Sequence, residues 1–346
     1  MEPRTAPPDA PVTDTPSAAP RARPPRRPTA APYMLLLLTI ISIAAFSLLR
    51  PDTFATASNA RTIAVENAVL AILALAVMIP LVCDEFDLSP AATMGLASVL
   101  AAGLADKQGL SFVPMTIVVL GVGIAVGAVN GALVVVAKLP SIIVTLGTST
   151  VVGGFIQLYT NGEVIFKGVP QPLRDLGQAK VATVGLPVVI MLVLALLLWF
   201  VFDKRPWGRR MYAVGSSAEA SRLAGVDVER IRFSAFVLAG LLAAIAGYLL
   251  TARVGSGSPT ASANFLLPAF AAAFLSSAAF RVGFFNIWGV VLSVYFLAVG
   301  VTGLKFLGAD FWVDPVFNGT ALIVAVAVSR MPARRRRRAA MQGATA

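Results

Sequence analysis

The chain has 346 residues, 57% of them hydrophobic and 13% charged, with a mean hydropathy of +0.81. A soluble domain carries about 25% charged residues, so this apolar excess excludes a single soluble core and implies a polytopic membrane protein. The absence of histidine excludes a histidine-based zinc site or proton relay, the single cysteine excludes an internal disulfide, and the net charge of +11 gathers in arginines at the two ends and in one loop. That distribution suits an anionic membrane surface better than nucleic acid.

Residues 1–32 are rich in Pro, Ala and Arg and lack apolar periodicity. They read as a disordered cytoplasmic tail. Residues 33–330 form the transmembrane domain. Apolar segments recur at about 34–49, 63–82, 88–105, 113–137, 140–160, 184–202, 233–252, 263–280, 287–304 and 315–329. A helix crosses a bilayer with ~20 residues, so the expectation is an all-α chain of about ten transmembrane helices. With both termini cytoplasmic, twenty of the 28 Lys and Arg residues fall inside and eight outside. The loop 203–232 alone carries seven of them, as the positive-inside rule requires. The external loop 161–183 is too short for a domain. Residues 331–346, with Arg334 to Arg338, form a second basic cytoplasmic tail.

Several motifs punctuate the spans. Gly123, Gly127 and Gly131 recur at four-residue spacing on one helix face and read as a close helix-packing stripe. Asn130 stands beside that stripe, and a buried amide in lipid must find a partner. Thr145, Thr148 and Ser149 join Asn130 as candidate residues of a polar translocation path. Asp84, Glu85 and Asp87 crowd a span junction just before Ser89-Pro90. Three charges there imply an interfacial turn or a broken, re-entrant element buried in protein. Glu66 and Asn67 stand early in the second span and read as interfacial.

The sharpest signal lies in the loop 203–232. Ser216 with Glu219 reads as a capping box that starts a helix, and Gly225 as the residue that ends it. About two turns, 216–225, expose Glu219, Ala220, Arg222 and Leu223 to a partner. No G-x-x-x-x-G-K-[ST] phosphate loop occurs, so any ATP must be hydrolysed by another chain. No nucleophile–base set and no metal-ligand set is visible, which argues against an enzyme.

Four blocks in order resemble the permease subunits of ABC importers for ribose-type monosaccharides, a family related to branched-chain amino acid permeases. They are Phe86-Asp87-Leu88-Ser89, Val126 to Val134, Leu139 to Thr148, and Tyr212 to Val226. The resemblance covers about residues 60–330. It departs at Phe274 to Gly283, where that family carries a glycine-rich run, so helix packing is expected to differ there. The resemblance implies a bacterial inner-membrane complex. In it this chain pairs with a second permease, identical or paralogous. An ABC ATPase subunit holds ATP and Mg, and an extracytoplasmic binding protein delivers a sugar. The chain itself needs no cofactor, and the 216–225 helix becomes the ATPase-coupling helix.

Two other substrate classes stay open within this architecture, branched-chain amino acids and nucleosides. A self-sufficient secondary transporter would need buried ion-binding carboxylates, for which Glu66, Asp84, Glu85 and Asp87 are the candidates. The tail cannot fold alone. Deleting residues 1–28 is therefore expected to leave substrate uptake largely intact when measured at matched membrane levels.

Overall fold

The computed structural model describes residues 31–327. A short 3-10 turn, Ala31–Tyr33, leads into α1 (Met34–Leu49), α2 (Ala57–Val82), α3 (Pro90–Gln108), α4 (Phe112–Val135) and α5 (Ser141–Thr160). The loop after α5 holds α6 (Gln171–Gln178) and a two-stranded antiparallel hairpin, β1 (Lys180–Val181) and β2 (Val184–Gly185). Then come α7 (Leu186–Lys204), α8 (Pro206–Ser216), α9 (Ala218–Leu223) and α10 (Val228–Val254). The described chain closes with α11 (Leu266–Ser276), α12 (Ile287–Phe306) and α13 (Val313–Ala327).

Every apolar segment of the sequence contains a helix, but the helices are unequal. Six are long and apolar enough to cross a membrane: α2, α4, α5, α7, α10 and α12. α3 has 19 residues but is rich in Ala and Gly and ends on Asp106 and Lys107. α1, α11 and α13 are shorter. The 11 residues of α11 rise only about 16 Å against a hydrocarbon core of ~30 Å. The segment 263–280 reads as a full span in sequence because its apolar run continues through residues that turn instead of coiling. The expectation of an all-α chain also misses the hairpin, and the external loop contains α6. The expected tails 1–30 and 331–346 lie outside the described residues.

α2 is the central helix. It packs against α10, α12, α11, α7 and α3, and Ala68, Val69 and Ala71 to Ile79 are fully buried. A helix hydrophobic all round belongs inside a bundle. α4, α5 and α7 instead expose Ile117, Ile143, Phe155 and Leu197 on their outer faces, as helices facing lipid do. α4 and α10 approach backbone to backbone. A Cβ on Gly127 would stand 2.3 Å from the Phe236 carbonyl oxygen, and one on Gly240 2.2 Å from the Gly123 carbonyl oxygen. Gly131 faces Phe233 on the same helix.

The connections sort to two ends. The linker 83–89, the loop 136–140, the segment 203–227 and the turn 277–286 meet at one end. There Glu85 pairs with Arg232, the Phe86 N–H donates to Ser141, and Arg281 makes a two-bond pair with Asp203. The opposite end joins Ile165 to Gly257 by a β-bridge, sets Gly177 against the Ala252 carbonyl, and pairs Lys305 with Asp314.

The turn 277–286 is held by side-chain bonding. Asn286 Nδ2 donates to the Ser276 and Ala279 carbonyls at 2.8 and 2.9 Å, while its Oδ1 accepts from the Gly289 N–H and caps α12. Phe280 takes a left-handed φ of 54° there.

Gly127→Leu is expected to force α4 from α10 and lower the apparent unfolding temperature in detergent, at a cost of about 1–3 kcal/mol or more. Gly121→Ala, with no atom within 4 Å of its new methyl, should leave it unchanged.

Candidate functional site

The sequence from Arg205 to Arg232 builds the one-ended feature that the loop composition singled out. Pro206 opens α8 at its first turn, where a missing N–H costs nothing. Trp207 seats its ring edge-on to Phe202 and donates Nε1–H to Ser234 Oγ at 3.0 Å. Tyr212 donates its hydroxyl to the Phe285 carbonyl at 2.7 Å. A Cβ on Gly215 would stand 1.9 Å from the Val82 carbonyl oxygen, so α8 lies flush on the end of α2. The platform under α9 is therefore rigid.

α9 itself is shorter than the sequence implies, and its cap is shifted by one. Ser216 is the last residue of α8 and donates Oγ–H to the Tyr212 carbonyl. Ser217, in an extended conformation, is the N-cap and accepts the Ala220 N–H at 3.2 Å. Glu219 then falls at the second helical position, where it favours the helix N-terminus without closing a capping box. At the other end, Val226 N–H reaches the Ser221 carbonyl, Gly225 N–H reaches the Arg222 carbonyl, and Gly225 takes φ +78°. This is a Schellman motif. Its apolar residue, Val226, packs into the core. Asp227 caps α10 by accepting the Arg230 N–H.

The result is a six-residue stub held at both ends and open on top. Glu219, Ala220, Arg222 and Ala224 are exposed, and Leu223 is 87% exposed. Ser221 is buried and bonded to the Ser217 carbonyl beneath. Two cavities flank the stub's approaches. One, about 640 Å³, lies among Glu85, Lys138, Ser141, Arg222, Glu229 and Arg232. The other, about 340 Å³, lies among Trp207, Arg210, Asp227, Arg230, Ile231 and Ser234.

Behind the first cavity runs a buried polar cluster. Leu88 N–H donates to Thr145 Oγ1 at 3.0 Å, and Thr145 donates its own hydroxyl to the Ser141 carbonyl. Asp87 Oδ1 accepts both the N–H and the Oγ–H of Ser89, and Ser89 Oγ accepts Asn130 Nδ2–H at 2.8 Å. Asn130 and Thr145 are fully buried and so line no open space in this conformation. Thr148 and Ser149, half-buried about one turn further along α5, take no part in the cluster. Ser89 as the bridge and Arg232 as the partner of Glu85 are absent from the sequence reading. Ser89 reads as a helix cap beside Pro90, and Arg232 as one positive charge among seven.

The family described as "branched-chain amino acid transport system / permease component" matches residues 59–326. The chain belongs to this family. It is 33% identical to the fructose import permease protein of Rhizobium meliloti over 312 residues, 88% of this chain and 85% of the relative. It is 30% identical to the ribose import permease protein of Bacillus subtilis, over 86% of this chain and 92% of the relative. It is 29% identical to the D-allose transport system permease protein of Escherichia coli, over 86% and 91%. No solved structure matches the chain. The permease is a multi-pass membrane transport subunit and not an enzyme.

The linker of this permease yields a pH prediction. Burial pushes the Asp87 carboxyl up to about 6, and its bonds from Ser89 offset only part of that. A carboxyl raised above its unfolded value of about 4 binds its proton more tightly in the folded chain. Folding stability should therefore rise as pH falls from about 7 towards 4. In Asp87→Asn this share of the pH dependence should vanish, which thermal unfolding across pH can read.

Proposed function

We propose that this permease forms the translocation path for a monosaccharide in an ATP-driven ABC importer. Named relatives import fructose, ribose and D-allose, and each aligns over more than four fifths of both chains. A ribose- or xylose-like sugar is the favoured substrate.

The observation that carries the mechanism is α9. An 87% exposed leucine on a stub rigidly capped at both ends has no internal purpose. It suits a groove on a separate ATPase subunit, which holds ATP and Mg and closes on nucleotide binding. Glu219, Ala220, Arg222, Leu223 and Gly225 belong to this contact. Ser216 belongs to the platform below it. Closure of the ATPase pair moves α9, tilts α10 and alternates access to the path. A second permease chain, identical or paralogous, completes the path, and an extracytoplasmic binding protein supplies most of the selectivity. That division of labour fits a chain whose interior carries few charges.

In this reading the end formed by 83–89, 136–140, 203–227 and 277–286 faces the cytoplasm of a bacterial inner membrane. The Lys/Arg excess in the loop 203–232 supports that orientation, with both termini on the same side. Asn130, Thr145, Thr148 and Ser149 are the candidate polar groups of the path, with Asn130 and Thr145 closed off in this conformation.

The family's own description favours a second substrate class, branched-chain amino acids. Uptake of labelled ribose, xylose, fructose and leucine by the complete transporter decides between them. Sugar uptake is expected, and leucine uptake alone would select the second reading. Leu223→Asp and Glu219→Arg are expected to leave the permease inserted, strip the ATPase from it on purification in mild detergent, and abolish uptake. Normal uptake in both variants would remove the coupling role of α9.

A further inference from the structure

A moving α9 must act on the interior through something more than its covalent connection to α10. Five elements of the polar architecture converge on one contact. Arg222 on α9 donates Nε–H to Glu229 on the first turn of α10 at 3.2 Å. That pair is half exposed on both sides and therefore screened by solvent. Three residues on, Arg232 reaches away from the surface and places Nη1 3.1 Å from Glu85 Oε1. The Glu85 side chain is 11% exposed and that of Arg232 27% exposed, so this pair is much less screened. Glu85 sits in the non-helical linker whose next residues are bound to Ser141 and Thr145 on α5, and through Ser89 to Asn130 on α4.

We propose that the Arg232–Glu85 ion pair is the positioning link that carries displacement of α9 and the start of α10 into the buried linker 83–89, and so into α3, α4 and α5. The inference rests on the reading of α9 as the ATPase contact and adds the residues through which that contact acts. The pair borders the cavity of about 640 Å³ bounded by Glu85, Arg222, Glu229 and Arg232, and it joins the first turns of α10 to a segment that has no helix of its own. Opposite charges this close and this little exposed resist separation, so a shift of the start of α10 draws the Glu85 carboxylate, and the linker that carries it, in the same direction.

The test uses the complete transporter, with its ATPase and binding protein, in lipid vesicles. The readout is substrate moved per ATP hydrolysed, alongside membrane level and ATPase co-purification. Glu85→Asp keeps the charge but withdraws it by one methylene. It is expected to keep normal membrane level and bound ATPase while lowering the transport-to-hydrolysis ratio at least threefold. Arg232→Gln is expected to lower the ratio further. The exchange Glu85→Arg with Arg232→Glu should recover at least half of the wild-type ratio. A wild-type ratio in Glu85→Asp overturns the proposal even if Arg232→Gln fails to accumulate. Loss of bound ATPase in Glu85→Asp overturns it too, since the pair would then serve docking. Leu223→Asp in the same assay separates the two readings. If it strips the ATPase while Glu85→Asp transports normally, the coupling role of α9 stands and only the Arg232–Glu85 link is lost.

Discussion

Seven residues, 83–89, join α2 to α3 without a helix of their own; the first three bond back to the end of α2, and much of the architecture follows from how the rest are satisfied. Non-helical backbone buried in protein survives only where neighbouring groups supply its hydrogen-bond partners. Here α5 supplies Ser141 and Thr145 for two N–H groups, Asp87 supplies a third bond to Ser89, and Asn130 of α4 holds the Ser89 hydroxyl. Asp84 makes the turn possible with a φ of 62°, just after Pro80 has weakened the end of α2. Each partner has to be in register for the others to bond, so the linker ties α2, α3, α4 and α5 into one unit.

The second constraint is the seam between α4 and α10. Lipid gives helices no hydrophobic reason to associate, so close packing and backbone approach must supply the attraction. Gly123 and Gly127 on one side and Gly240 on the other allow carbonyl oxygens to stand where side chains would be. This seam positions α10, and α10 in turn carries Arg232 to Glu85 at one end and meets α6 at the other. The α4–α10 seam and the exposed α9 are thus joined through α10. The platform of α8 on α2 and α7 stops α9 from folding inward, and the Schellman motif with Val226 as its anchor stops it from fraying.

The linker and the turn 277–286 solve the same problem by different means. The turn is held by Asn286, with four bonds to backbone, and by the Arg281–Asp203 fork. This places a charged pair directly beneath α8, whose Tyr212 is bonded to the same turn.

The membrane class, the apolar segments, the glycine stripe and the presence of a short exposed stub between 216 and 226 were legible in the linear chain. Each rests on local composition or on a helical period, which need no knowledge of neighbours. The register of the cap was not legible, because Ser216 and Ser217 are chemically alike and only the packing of α8 on α2 decides which one leaves the helix. The length of α11 was not legible either, since apolar content measures where a residue prefers to be and not whether its backbone coils. Tertiary structure alone decided that Glu85 meets Arg232, 147 positions away, and that Asn130 meets Ser89. A helical period gives each side chain a face, and only the packed bundle assigns that face a partner.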